Sequence, residues 1–424
     1  MIKFLRSSLI CVFCLVFVFL CACGNGDVSL SDDPVITTAF TSETQTSTEA
    51  VTETSLSTVI LTLPSTLPPS TSETTSLTSE STTAETTTET TTTETTTVDI
   101  FSLEIAPPVY ANAAKPLDIS TPDGYDQTCH PKVLYFEDGW NGWEFWMAHT
   151  PYPYCDDNYE NPCIAVSHDG IEWFEPEGVN NPVTGYPPSF EDSAHYSDPH
   201  LLMNGDVMEL WFRWNPSYGN GINADSNGGV ILRMTSTDGV NWSEVETVYP
   251  GSEWNFDPVL SPAVILNEDG TYSMWYAKRD GKIWRTTSED GFNWSELEAT
   301  DLEVWGYNIW HQDIIYENGV YEIVFCARPQ NSSNNLVGLD AYYAMSYDGI
   351  NWTDPIQIIS PDDSISGYDN CSIYRLSLVK VNGVYLIYYS SMSDWYVWKI
   401  NLCAGSDISN LIGMGRDGFE EVFK

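Results

Sequence analysis

From about Lys132 to Leu402 the chain alternates apolar and polar residues in short runs broken by Gly, Asp, Asn and Pro, which is the period of half-buried β-strands. The runs recur in sets. Lys132–Phe136, His200–Met203, Ala263–Leu266, Asp313–Tyr316 and Ser377–Val381 each open a set. A second run follows each, at Glu144–Ala148, Glu209–Phe212, Tyr272–Tyr276, Tyr321–Phe325 and Tyr385–Tyr389. A third run then leads into the heptad S-x-D-G-x-x-W, found at Ser167–Trp173, Ser236–Trp242, Ser288–Trp294 and Ser346–Trp352. Its Asp positions, 169, 238, 290 and 348, are spaced by 69, 52 and 58 residues, the size of a four-stranded propeller blade. The last set ends in Trp395–Leu402 with neither heptad nor fourth run.

The heptad is a turn. Gly accepts positive φ and Asp bonds its own turn backbone, so Asp-Gly between alternating runs is a hairpin signal, with the Trp expected between blades. The Asn-Trp-Ser/Thr triplets that begin at Asn241, Asn293 and Asn351 belong to this turn. The pattern therefore predicts an all-β fold, a five-bladed β-propeller. Its incomplete last blade is expected to close by N-terminal strand exchange, with Ser102–Tyr110 or Pro116–Ser120 as the donor, because an unpaired edge is a liability.

Ahead of the propeller the pattern changes. Lys3 and Arg6 precede an apolar run from Leu9 to Leu20, too short to span a bilayer comfortably, which reads as a secretory signal. The run ends in Leu20-Cys21-Ala22-Cys23-Gly24, which resembles the lipobox of bacterial lipoproteins and implies acylation of Cys23; an ordinary signal peptide is the alternative. Asp33 to about Thr97 is Thr, Ser and Glu with scattered Pro, too poor in apolar surface to offset the entropy of ordering. The expected organisation is a signal peptide at 1–22, a disordered Thr/Ser/Glu-rich tether at 23–99 and the propeller at 100–424. It would sit on the extracellular face of the bacterial cell membrane, held only by the lipid on Cys23.

Charge narrows the partners. With 60 Asp and Glu against 16 Lys and Arg the formal net charge is -44, which disfavours nucleic acid and anionic membrane surfaces. Six cysteines remain after the signal and anchor, Cys129, Cys155, Cys163, Cys326, Cys371 and Cys403, with no zinc-ribbon spacing. Cys163 and Cys326 sit in apolar runs and read as core residues. Cys129 and Cys371 precede innermost strands of adjoining blades, so both a disulfide and free thiols fit.

Alternating strand direction puts innermost-strand starts and second-to-third loops on one face and the Asp-Gly turns on the other. The first face collects His130-Pro131, Asp198-Pro199-His200, Ser261-Pro262, Trp310-His311-Gln312-Asp313 and Tyr374-Arg375 from the strand starts. From the loops come His149, Tyr152, Tyr154, Glu160, Arg213, Lys278-Arg279 and Arg328. Five blades, polar strand starts and Trp-rich second strands resemble the arabinanase, levansucrase and invertase superfamily of glycoside hydrolases. That resemblance implies hydrolysis of a poly- or oligosaccharide by funnel carboxylates, with Asp198 as base or nucleophile, Glu160 as acid and Asp313 as the orienting group. Two positions depart from it, since His130-Pro131 stands where the family has its first Asp, and no Glu follows Ser261-Pro262.

The sugar contacts expected are His130, His149, His200, Arg213, Ser261, Arg328, His311, Arg375, Tyr152 and Trp310. Arg375 reads as a counter-ion, or with Arg213 and Arg328 as a cradle for an acidic sugar. Tyr152, Tyr154, Tyr218 and Trp305 suit ring stacking. No metal ligand set is assigned and no cofactor is required, although some relatives hold a structural calcium in the central channel, near the position of His311. A monomer is expected. A carbohydrate-binding or adhesion propeller without turnover is the main competing reading, and a protein-interaction scaffold the lesser one.

Overall fold

The computed structural model describes residues 99–187, 194–215, 230–249, 259–334, 336–362 and 367–424. The signal segment, Cys23, all of the tether but Asp99, and Tyr218 lie outside the described residues. Five antiparallel sheets surround one axis. The first contains β1 (Thr128–Trp140), β2 (Trp143–Pro151) and β3 (Cys163–Ser167), and Phe174 adds an antiparallel bridge to Val166 at its outer edge. The second runs β4 (His195–Asn204), β5 (Val207–Asn215), β6 (Val230–Ser236) and β7 (Glu246–Tyr249). The third runs β8 (Leu260–Leu266), β9 (Tyr272–Ala277), β10 (Ile283–Ser288) and β11 (Glu298–Ala299). The fourth runs β12 (Tyr307–Glu317), β13 (Val320–Pro329), β14 (Asp340–Ser346) and β15 (Ile356–Ile359). The fifth runs β16 (Ser372–Val381), β17 (Val384–Met392), β18 (Trp398–Gly405) and β19 (Ile412–Gly413). Innermost strands contact each other in the closed order β1, β4, β8, β12, β16 and back to β1.

Closure uses both ends of the domain. Strand β19 pairs with β18 through Cys403–Gly413 and Ala404–Ile412, a short fourth strand that the sequence pattern does not reveal. The N-terminal segment completes the edge: Tyr110 bridges Ile412 in parallel, Ala114 N donates to Met414 O at 2.8 Å, and Leu117 N reaches Ile400 O of β18 at 2.9 Å. A short α1 (Phe419–Phe423) follows.

The Asp-Gly turns hold the blades together. In each, the Asp Oδ1 accepts two successive backbone N–H groups, as Asp238 does from Val240 at 2.9 Å and Asn241 at 2.7 Å, while the Ser hydroxyl takes the Gly N–H. Gly239, at φ +74°, is where Trp146 of the preceding blade closes in: a Cβ there would lie 2.1 Å from its ring. Gly349 receives Trp275 in the same way, and its carbonyl accepts the indole N–H at 2.8 Å. These two turns are thus sockets for the buried second-strand Trp next door, and Gly170 takes the hydroxyl of Tyr388 in the same place. The heptad Trp packs across the same seams, as in Trp294 edge-on to Trp211 at 6.1 Å. All six domain cysteines are free thiols.

Candidate functional site

The pocket arises from one irregularity repeated five times. Every innermost strand bulges near its start, between Cys129 and Lys132, Ser197 and His200, Leu260 and Ala263, Ile309 and His311, and Ile373 and Leu376. In the first three blades His130, Asp198 and Ser261 occupy the bulge, each at φ +54° and each followed by Pro. Proline has no N–H to leave unpaired there, and the left-handed residue before it bends the strand end and re-aims its side chain toward the axis.

Asp198 is the centre of the resulting cluster. Its Oδ1 lies 3.4 Å from His311 Nδ1, 3.6 Å from His130 Nε2 and 3.9 Å from Arg375 Nη1; its Oδ2 lies 3.2 Å from Arg213 Nε and accepts the Ser261 N–H at 3.1 Å. Burial pushes the carboxyl pKa up, but Arg213, then His311, His130 and Arg375, outweigh it and hold Asp198 below the usual carboxylate range. The imidazoles go the other way. Burial outweighs the pull of Asp198, bringing His130 down to about 3 and His311 well below its ordinary value, so both rings are neutral. Thr150 Oγ1 sits 2.9 Å from His130 Nδ1 and can take its proton, which turns the Nε2 lone pair toward Asp198. One ligating atom from each of His130, Asp198 and His311 fits within 4.8 Å of the others, and all three side chains are buried.

A second layer surrounds this group. Glu160 lies on the loop after β2, buried, with His195 Nε2 3.6 Å from its Oε2. Burial, then the fields of Asp157 and Asp198, raise its pKa well above the ordinary value, with Arg213 opposing. Tyr374 packs edge-on to His311 with ring centroids 4.3 Å apart, and Trp310 Nε1 donates to its hydroxyl at 2.9 Å. Arg328 lies over the Trp310 ring at 4.6 Å. Tyr152 is buried between His130 and Trp398 and donates to Asp157 at 2.9 Å.

The structure therefore gathers His130, Glu160, Asp198, Arg213, His311, Arg375, Tyr152 and Trp310, with Ser261 contributing its backbone. It leaves others elsewhere. Asp313 is held by Lys132 Nζ at 2.7 and 2.9 Å and by the Leu378 N–H at 3.1 Å, which occupies its carboxylate in a buried ion pair further along the strand. His200 sits beside that pair, with Nδ1 3.8 Å from Asp313 and Nε2 against Val264 O at 2.8 Å. His149 is buried in β2, where burial alone lowers its pKa to about 4. One residue of the site escapes sequence reasoning, His195, while Tyr374 falls on the expected face but is given no role there. Strand alternation places residues three apart on opposite faces, and only the bulge between Ser197 and His200 brings His195 and Asp198 to one pocket.

No family model matches the chain. In an alignment 300 positions long that covers 59% of this chain, it is 30% identical to the A type blood N-acetyl-alpha-D-galactosamine deacetylase of Flavonifractor plautii, and it spans 37% of that protein's length. A solved structure of an N-acetylgalactosamine deacetylase from F. plautii, in complex with blood group B trisaccharide, superposes with a TM-score of 0.56 at 23% identity, covering 71% of this chain and 94% of that chain. The five-bladed fold is therefore shared with it. An exo-1,5-alpha-L-arabinanase from a bovine ruminal metagenomic library also aligns, with a TM-score of 0.49 and 12% identity over 66% of this chain and 93% of that one.

Proposed function

We propose that the propeller is a carbohydrate hydrolase that removes the acetyl group from an N-acetylated sugar, with a divalent metal ion held by His130, Asp198 and His311. The observation that carries this reading is the facing of two neutral imidazoles onto one carboxylate oxygen at 3.4 and 3.6 Å. With the His130 Nε2 lone pair turned toward Asp198 through Thr150, a cation among these atoms would replace a repulsion with ligand bonds. His130 Nε2 and both ring nitrogens of His311 are buried without a hydrogen-bond partner among the described residues, which fits that use. Two nitrogens and one carboxylate suit Zn²⁺ or another first-row ion, and not calcium, which takes oxygen ligands. Such an ion supplies a polarised carbonyl and a more acidic water. Identity to a protein named as an N-acetylgalactosamine deacetylase supports an acetamido sugar as substrate.

The chain's own groups supply the rest. Glu160 accepts a proton from the attacking water as its oxygen bonds to the acetyl carbon, and passes that proton to the sugar nitrogen as the C–N bond breaks, giving acetate and an amine. Burial, by raising its pKa, favours the protonated form from which it delivers the proton to nitrogen, and a cation beside Asp198 would favour the carboxylate needed to accept one. His195, whose Nε2 accepts from Asn215 Nδ2 at 2.7 Å, flanks Glu160, and Tyr374, fixed by Trp310, donates to the oxygen that gains charge. Arg213 and Arg375 keep Asp198 ionised.

A second reading, the glycoside hydrolase of the sequence resemblance, is favoured by the opposite pKa shifts of Glu160 and Asp198 within one pocket. One experiment separates the two. The purified chain is assayed on N-acetylgalactosamine-capped oligosaccharides for acetate and for new reducing ends, with and without a chelator, while bound metal is counted by mass spectrometry. Acetate release that a chelator stops and Zn²⁺ restores supports the first reading; new reducing ends without acetate overturn it, and binding with neither product leaves an adhesion module. The surface location is proposed from the lipobox-like segment, and fatty-acid labelling that persists in Cys23→Ser would overturn it.

A further inference from the structure

The seam between the first and last blades, where Tyr152 packs on Trp398 at 5.1 Å, carries aromatic rings that the core does not use. Tyr125 and Tyr154 form an edge-to-face pair at 5.8 Å and stay 54% and 58% exposed. Across the seam, Trp395 and Tyr396 on the turn between β17 and β18 are 78% and 47% exposed. Gln127 ties the two sides, its Oε1 accepting Tyr154 N and Trp398 N, both at 3.1 Å. Tyr154 shares its loop with Tyr152 and Glu160, and Trp398, two residues after Tyr396, packs on Tyr152, which ties both sides to the pocket lining. Tyr154 and Tyr396 are both left-handed, at φ +54° and +58°, a conformation that bulky side chains rarely adopt and that points to a function retained at a cost in strain. Acidic groups frame the rings: Asp123 Oδ1 binds Tyr125 N, Asp156 caps the turn after Tyr154, and Asp394 precedes Trp395. They offer acceptors to hydroxyls and repel anions.

We propose that Tyr125, Tyr154, Trp395 and Tyr396 form a platform on which the neutral sugars next to the reacting residue stack, so that the ligand is an uncharged oligosaccharide and not a single sugar. This rests on the reading of the pocket as a sugar site and deepens it. The test compares kcat/KM for acetate release from a neutral tetrasaccharide ending in N-acetylgalactosamine with that from the monosaccharide, in the full chain and in Tyr154→Ala/Trp395→Ala. Both rings are exposed, and thermal melting checks that the fold is kept. The unmodified chain should prefer the tetrasaccharide by about tenfold or more, and the variant, with both rings removed, should lose most of that preference. A preference near unity in the unmodified chain, or one unchanged in the variant, overturns the platform. A chain that releases no acetate is tested by calorimetry with the same two ligands. Tetrasaccharide affinity that falls in the variant then supports the platform although deacetylation has failed, and equal affinity overturns it.

Discussion

Asp198 and Asp313 are both buried in ion-paired surroundings, and replacing each by Asn should separate the proposed metal binding from stability. Asp198 lies 3.2 Å from Arg213 and 3.9 Å from Arg375. At an effective dielectric near 20 those separations correspond to about 5 and about 4 kcal/mol of gross attraction. Desolvation offsets much of it, and truncating one partner of a buried pair costs about 3–5 kcal/mol in practice. Asp313, with Lys132 at 2.7 and 2.9 Å, falls in the same range. Urea denaturation followed by circular dichroism should therefore show Asp198→Asn and Asp313→Asn destabilised alike. Metal content after loading with Zn²⁺ and dialysis should part them, with binding lost in Asp198→Asn and kept in Asp313→Asn. A loss below about 1 kcal/mol in either variant would refute the ion-pair argument. Metal retained by Asp198→Asn, or lost only from Asp313→Asn, would refute the assignment of ligand.

Further outcomes follow from the same geometry. Burial holds the folded pKa of Glu160 above its unfolded value, so the native state loses stability as pH rises from the unfolded pKa toward the folded one. Glu160→Gln should flatten that decline and unfold at higher urea than the parent at neutral pH, while losing turnover; parallel pH–stability curves would contradict this. Gly239→Ala meets both a left-handed backbone and the Trp146 ring and should cost about 2–4 kcal/mol, against about 1–2 for Gly142→Ala, whose Cβ meets nothing, in the same denaturation assay. In a chain starting at Asp99, a thiol reagent at pH 8 should label only the half-buried Cys155 and Cys371 before unfolding, and slowly, since burial raises the pKa of all six thiols and closes Cys129, Cys163, Cys326 and Cys403 to the reagent.

The blades were legible because their cause is local. Alternation at Tyr272–Tyr276 or Tyr321–Phe325 and the Asp-Gly of each heptad state strand and turn within a few residues, and the observed β9 and β13 contain those runs. Closure was legible in part. An incomplete last set called for an N-terminal donor, and Tyr110, Ala114 and Leu117 supply it, but β19 is two residues long and carries no periodicity to read. The role of the heptad glycines as sockets for Trp146 and Trp275 was not legible, because each contact joins residues tens of positions apart.

The site shows where alternation stops being a guide. His130-Pro131, Asp198-Pro199 and Ser261-Pro262 mark the strand starts in the sequence, yet each bulge shifts the register by one, so faces counted from the strand interior are wrong before it. Asp313 and His200 lie on the regular side of their bulges and look like funnel residues, but pairing between blades, which alternation ignores, commits them to Lys132 and Val264. His195 lies on the irregular side and was passed over. The departure at His130 changes its meaning for the same reason. Where the resembled hydrolases have an inner-strand carboxylate, this chain puts a neutral imidazole facing Asp198, and a second from His311. An acid replaced by a histidine weakens a carboxylate mechanism, whereas two histidines converging on one remaining acid compose a different donor set. The substitution that counted against the first chemistry is therefore the residue on which the second depends.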